Sequence, residues 1–212
     1  MEEVEIVIII ICAAAAYLLG SINTSILVGR LFGIGDIREH GSGNAGLTNT
    51  LRSVGKRAAA LTLAGDVLKG VLAIGIAWLL CRLIQDETQR KAAVLAAGLC
   101  VVLGHNFPLY FGFKGGKGIL TSATVIFMID WRSGLIVTAV AVIFIILTRY
   151  VSLGSILSAA AYPVCAALIY PGDIIYFVFA LLLALLAILR HHANIKRLVN
   201  GTENKLGAKK KA

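Results

Sequence analysis

The residues best suited to chemistry lie between Gly104 and Gly118, where the apolar run ending at Leu103 gives way to GHNFPLYFGFKGGKG. Lys114 and Lys117 supply positive charge. Gly115, Gly116 and Gly118 lack the Cβ that keeps a backbone away from a ligand, so their N–H groups can close on a phosphate or another small anion. His105 precedes the basic glycines by about two turns, where it can act as a base, hydrogen-bond an anion, or close a helix end against backbone. The segment from Phe111 to Gly118 is not a nucleotide P-loop: Phe111 stands where the first glycine belongs, and Gly118 where a Ser or Thr would hold magnesium. Asn106-Phe107-Pro108 predicts a helix end, since proline disfavours helix in the residue before it.

Two further segments share this character. GSGNAGLTNTLR at 41–52 offers hydroxyl, amide and backbone donors at Gly41, Ser42 and Asn44, and Arg52 can grip a phosphate with two parallel N–H groups. Taken alone it also reads as a polar turn capped by Ser and Asn. RHHANIKRLVNGTE at 190–203 sets His191 and Asn194 three apart, on neighbouring positions of one face if the preceding helix continues, and such a pair can orient a polyol phosphate. Glu203 reads as a solvated salt-bridge partner. Between these segments TRYVSLGS contributes Arg149, Ser152 and Ser155, with Ser152 expected to cap a helix and Arg149 to reach lipid phosphate. Asp66 and Lys69 sit three apart in apolar surroundings where unpaired charge is expensive, and read as an ion pair that shapes a cavity.

Other chemistries find no footing. Five residues after His40, His105, His191 and His192 stand Ala45, Tyr110, Lys196 and Arg197, so the His-x4-Asp pattern of acyl-CoA-dependent glycerolipid acyltransferases is absent. There is no GxSxG elbow and no HExxH helix. Cys12, Cys81, Cys100 and Cys165 stand singly without ligand spacing, which indicates neither a metal site nor a disulfide framework. The expectation is a site that needs no metal and no cofactor.

The elements that must position these residues are helices in a bilayer. Of 212 residues 58% are hydrophobic and 15% charged, with mean hydropathy +0.88, far too apolar for a soluble domain. The net charge of +9 punctuates apolar runs instead of covering a face, so the basic residues answer to anionic lipid and substrate and not to nucleic acid. Glu2, Glu3 and Glu5 give the first apolar run an acidic leader, unlike a secretory signal, so it counts as a span. Seven spans are predicted, at about 4–28, 58–81, 92–111, 115–130, 133–149, 153–170 and 174–190. With the N-terminus outside, fifteen basic residues fall on the inner side, among them Arg52, Lys114, Arg149 and Lys196, and only Arg82, Arg90, Lys91 and Arg132 fall outside. The fold expected is therefore all-α: one polytopic membrane domain over 1–212, with seven transmembrane helices, a cytoplasmic C-terminus and a disordered basic tail at 206–212.

Together the three polar segments, with DVLKG at 66–70 and SLGS at 152–155, resemble in identity and order the motif set of the bacterial acyl-phosphate-dependent glycerol-3-phosphate acyltransferases. The resemblance covers essentially the whole chain. It implies transfer of a fatty acyl group from acyl phosphate to the 1-hydroxyl of glycerol 3-phosphate, giving lysophosphatidic acid and phosphate at a bacterial plasma membrane, with the active site facing the cytoplasm. It implies catalytic roles for His105, Ser42 and Asn194. The acceptor site would draw on Gly41, Ser42, Asn44, Arg52, His191 and Asn194 with Lys114 or Lys117, and the donor phosphate on Gly115, Gly116 and Ser155. The implied partners are both substrates, membrane lipids and the enzyme that makes acyl phosphate. A transporter for a small organic phosphate is the rival reading, since basic residues near broken helices also form anion sites, although no internal repeat supports it. A non-catalytic lipid-binding protein would leave the glycine-lysine loop without a task.

Overall fold

The structure is a computed structural model describing residues 2–207; the expected basic tail lies outside the described residues from 208 onward. Ten α-helices and three short 3-10 turns account for the regular structure, with no strand among the described residues. They form two compact units, one ending at Ile129 and one beginning at Asp130.

The first unit contains α1 (Glu2–Ser21), α2 (Thr24–Leu31), α3 (Leu47–Ser53), α4 (Lys56–Leu80), α5 (Glu87–Asn106) and α6 (Ile119–Ile129). The first expected span is two helices in succession. Asn23 ends one and starts the other, its Oδ1 accepting from the Ile26 N–H at 3.2 Å and from the Ser25 hydroxyl at 2.9 Å, as an N-cap must. α1 packs along α5 and α4, and α4 also carries α6. The α1–α5 crossing is close because Gly104 has no side chain: a Cβ there would meet Tyr17 O and the Ser21 nitrogen, the small-residue contact common between membrane helices. The Tyr17 hydroxyl donates to Phe107 O at 2.8 Å, and Ser21 Oγ accepts from the Leu109 N–H at 3.2 Å. α1 thereby fixes the end of α5, which stops at Asn106 as Pro108 predicts.

The second unit contains α7 (Trp131–Thr148), α8 (Val151–Ile169), α9 (Ile174–Arg190) and α10 (His192–Val199), with α8 packed between α7 and α9 and α10 resting on both α8 and α9. Asp130 caps α7 through bonds from the Ser133 N–H and hydroxyl at 3.1 and 2.6 Å, so the charged interruption in the apolar sequence is a helix start.

Among the described residues, five helical stretches are long and apolar enough to cross a membrane: Glu3–Leu31, Lys56–Leu83, Glu87–Phe111, Trp131–Thr148 and Val151–Ile169. The remaining two expected spans differ in form. The fourth is the 11-residue α6, about 16 Å long against roughly 30 Å of hydrocarbon. The seventh is α9, which bends by 59° into α10 at His191.

Candidate active site

In the first unit, the two polar loops meet. Arg38, which follows α2, grips Asp36 through Nε and Nη2, at 2.6 Å for the shortest contact, and its Nη1 donates to Phe111 O and Lys114 O, each at 2.8 Å. The hydrogen-bonded guanidinium holds the Asp36 carboxyl below its usual range. Behind this clamp Ile26, Ile37 and Ala45 form a buried cluster against which Phe111 packs, and Arg30 lies over the Phe111 ring. Neither Arg38 nor Phe111 stood out in the sequence as positioning the lysines.

The first loop is held by a residue that sequence reasoning passed over. Asn49 is buried, with Oδ1 accepting from the Ser42 N–H at 2.9 Å and Nδ2 donating to Ile37 O and His40 O at 3.1 and 2.9 Å. Gly41 and Gly43 adopt left-handed conformations, so the chain folds back over Asn49 and leaves the Ser42 side chain exposed with Asn44 half-buried beside it. Arg52 stands in the last turn of α3, exposed.

In the glycine-lysine loop two backbone amides fold back onto the end of α5. The Gly115 N–H donates to Asn106 O and the Gly116 N–H to His105 O, both at 3.1 Å. These donors satisfy the carbonyl end of α5 and tie the loop to it. Glycine is required for close approach: a Cβ at 115 would lie 2.6 Å from Pro108 Cδ and 3.0 Å from Asn106 O, while one at 116 would strike His105 Nε2 and Ala45 O. Phe113 beside them holds φ of 60°, a conformation costing about 1–3 kcal/mol that survives only where its surroundings impose it. Lys114 is exposed and Lys117 half-buried, immediately before the first turn of α6, where unpaired helix N–H groups favour negative charge.

His105 is buried at the end of α5. Its Nδ1 lies 2.8 Å from Lys69 Nζ and 3.7 Å from Asp66 Oδ1, and Lys69 pairs with Asp66 at 2.8 Å. The expected pairing of Asp66 with Lys69 is present, and it extends to His105, although no carboxylate neighbours that histidine in sequence.

In the second unit, the break at His191 overturns the picture of one continuous helix carrying His191 and Asn194. The residues do remain adjacent: His191 occupies the turn into α10, the Asn194 N–H donates to His191 O at 2.8 Å, and both are buried. His191 Nδ1 is 2.7 Å from Ala187 O, so Nδ1 carries a proton. Glu203 is no solvated partner. It accepts from Ser152 Oγ at 2.9 Å, Asn194 Nδ2 at 2.8 Å and Arg197 Nε at 2.7 Å. Burial pushes its carboxyl up, but the bonds from Arg197, Asn194 and Ser152 outweigh that and hold it below its usual value. Ser152 therefore anchors this network instead of capping α8. Arg149, exposed, ends α7 in a left-handed conformation, and its guanidinium and carbonyl bond the Leu206 carbonyl and N–H at 2.9 and 2.7 Å. Ser155 is buried with its hydroxyl donating to Val151 O at 2.9 Å.

A chain so arranged can hold anions beside apolar helices. Comparison with known proteins identifies the family. The family model described as glycerol-3-phosphate acyltransferase matches residues 10–201. A glycerol-3-phosphate acyltransferase of Clostridioides difficile (strain 630) is 45% identical over 206 residues, covering 97% of this chain and 99% of that protein. One from Thermoanaerobacter pseudethanolicus is 44% identical, covering 94% and 96%. Among solved structures, PlsY (YgiH), an integral membrane glycerol 3-phosphate acyltransferase, superimposes in its glycerol 3-phosphate form with a TM-score of 0.83 at 34% identity, covering 94% of this chain and 96% of that one. Its lysophosphatidic acid form gives 0.80 at 32% identity.

Proposed function

We infer, since this chain belongs to the glycerol-3-phosphate acyltransferase family, that it is an integral membrane enzyme transferring a fatty acyl group to glycerol 3-phosphate and yielding lysophosphatidic acid. The observation that carries this reading is agreement with PlsY over nearly the full length of both chains. We propose further that the donor is a fatty acyl phosphate and the acceptor oxygen the 1-hydroxyl. The hydroxyl oxygen bonds to the acyl carbon, the carbon–oxygen bond to phosphate breaks, and the departing phosphate takes both the electron pair and the hydroxyl proton. An acyl phosphate already has a good leaving group, so holding two anionic reactants together supplies much of the rate.

The roles are assigned unit by unit. In the first, Arg52 with Lys114 or Lys117 binds the glycerol phosphate, Gly41, Ser42 and Asn44 supply hydrogen-bonding groups, and the Gly115-Gly116 turn holds the lysines where the donor phosphate is bound. In the second, His191 and Asn194 orient the polyol, and Ser155 serves the donor phosphate. We also propose seven membrane crossings, the short α6 being one of them, with the N-terminus outside and all three motif segments on the cytoplasmic face of a bacterial plasma membrane, where the enzyme that makes acyl phosphate is a natural neighbour.

Purified protein in detergent, given glycerol 3-phosphate and acyl phosphate, tests the function directly. Lysophosphatidic acid should form at a rate proportional to protein. Phosphate exchange across vesicles without acyl transfer in detergent would instead identify a transporter.

A further inference from the structure

Deep in the first unit, Lys69 faces three acceptors: Asp66 Oδ1 at 2.8 Å, His105 Nδ1 at 2.8 Å and the Ile22 carbonyl at 3.2 Å. An ammonium group carries three protons and no lone pair, so toward these three groups it can only donate or pair by charge. The Ile22 carbonyl is available because the chain breaks between α1 and α2, where Asn23 caps the second helix. Both Lys69 and Asp66 are buried, and a buried ion pair persists only when such additional bonds satisfy it.

The state of His105 follows from that of its neighbour. A protonated Nδ1 cannot face an ammonium at hydrogen-bond distance, so one of the two groups must give up its proton. A proton on Lys69 is held by the ion pair with Asp66 at 2.8 Å and the bond to the Ile22 carbonyl at 3.2 Å, whereas Asp66 Oδ1 stands 3.7 Å from His105 Nδ1, beyond a hydrogen bond. The cluster of Asp66 carboxylate, Lys69 ammonium and neutral imidazole has no net charge, as a low-dielectric interior favours. Nδ1 then holds the lone pair and Nε2 the hydrogen.

The direction of the ring gives this tautomer a consequence for the site. The Nε2 edge of His105 is the edge on which Gly116 packs, and the His105 carbonyl receives the Gly116 N–H. We propose that the Asp66–Lys69 pair locks His105 as the neutral Nε2–H tautomer, so that His105 presents a donor, not a proton acceptor, to the glycine-lysine loop. Asp66 and Lys69 are positioning residues acting through His105. This deepens the acyltransfer reading and rests on it for its chemical meaning: with His105 unable to serve as the base, the acceptor proton leaves with the donor's phosphate.

The test begins with the unaltered protein. With ring-15N histidine and the protein in lipid nanodiscs at neutral pH, the His105 signals, assigned by their loss in His105→Gln, should show a protonated Nε2 and an unprotonated, hydrogen-bonded Nδ1. A protonated Nδ1, alone or together with Nε2, overturns the proposal whether or not the protein synthesises lysophosphatidic acid. A predicted tautomer in a protein that makes no lysophosphatidic acid would instead overturn the functional reading and leave the tautomer standing. Kinetics supply the second arm. His105→Gln retains a donor near the Nε2 position and should keep measurable kcat, while Lys69→Met should lower kcat roughly 10- to 100-fold, and the double variant should be no worse than the poorer single variant by more than about 3-fold, as residues acting through one another require. Multiplying losses overturn the relay. If Lys69→Met does not fold, Asp66→Asn/Lys69→Met, which leaves no unpaired charge, takes its place in the same cycle.

Discussion

Gly116→Ala isolates the demand for close approach from every other property of the loop. A methyl there would strike His105 Nε2 and Ala45 O and come within 3.0 Å of His105 Cε1, so either the ring or the chain must retreat. Ordinary contact begins near 3.4 Å, and relieving the overlap moves the loop or the ring by about 1 Å. Overpacking of this kind costs about 1–3 kcal/mol of stability. The larger effect falls on rate, because a 1 Å displacement of positioning groups lowers turnover about 10²-fold. Gly116 directly precedes Lys117, so a shift of one displaces the other. Gly75→Ala is the matched control: Gly75 lies within α4, a Cβ there meets nothing within 4 Å, and the change should leave activity intact with a gain of roughly 0.5–1 kcal/mol. Lysophosphatidic acid formation in detergent, corrected for spontaneous hydrolysis of the donor, gives kcat, and thermal unfolding of the same samples gives stability. A Gly116→Ala enzyme within twofold of the parent, at equal melting temperature, would refute the close-approach reasoning.

Three further outcomes are expected. Arg52→Lys keeps charge but loses the planar fork, and should raise KM for glycerol 3-phosphate while leaving kcat nearly intact; unchanged kinetics would reduce Arg52 to a loop anchor. Glu203 has a folded pKa below its ordinary 4.5, so its stabilising contribution is complete above that ordinary value and is lost as pH falls through the folded value. Glu203→Gln should therefore melt lower at pH 7 yet lack the parent's acid-side decline, and parallel melting curves across pH would contradict the Ser152–Asn194–Arg197 network. In a cysteine-free background, Ser53→Cys and Thr202→Cys should resist an impermeant thiol reagent applied to intact cells and react after permeabilisation; labelling from outside would reverse the proposed topology.

How much of this was legible in the sequence depends on how local the cause is. Apolar runs marked the helices, Pro108 marked the end of α5, and islands of glycine, lysine and hydroxyl in apolar surroundings marked the loops. The break at Ile22–Asn23 was hidden, because apolar residues continue through it and the exposed carbonyl is answered by Lys69, 47 positions away. The bend at His191 was hidden for a related reason: helical spacing carries on across it. Glu203 looked solvated because Ser152, one of the groups that shelter it, lies 51 residues distant. Arg38 looked like one more inner-face cation until its bonds to Phe111 O and Lys114 O were seen.

The proposed tautomer of His105 bears on where the proton of the acceptor hydroxyl goes. Burying a base such as His105 requires a partner to stabilise the charge it acquires, normally a carboxylate at the far ring nitrogen. Here that position is occupied by Lys69, a cation, and Asp66 is already paired with it at 2.8 Å. Charging His105 would set two positive groups against one carboxylate in a low-dielectric interior, where like charges repel most strongly. In the proposed tautomer the Nδ1 lone pair is engaged by Lys69, and the ring is left with Nε2–H as a donor. The proposed acyl phosphate donor tolerates this: its phosphate acquires negative charge as the bond to the acyl carbon breaks, so a proton acceptor arises at the reacting centre during the reaction. The protein then has only to hold the two anions, which Arg52, Lys114 and Lys117 are suited to do, and to keep the loop that carries the lysines from moving, which Arg38, Gly116 and the end of α5 accomplish.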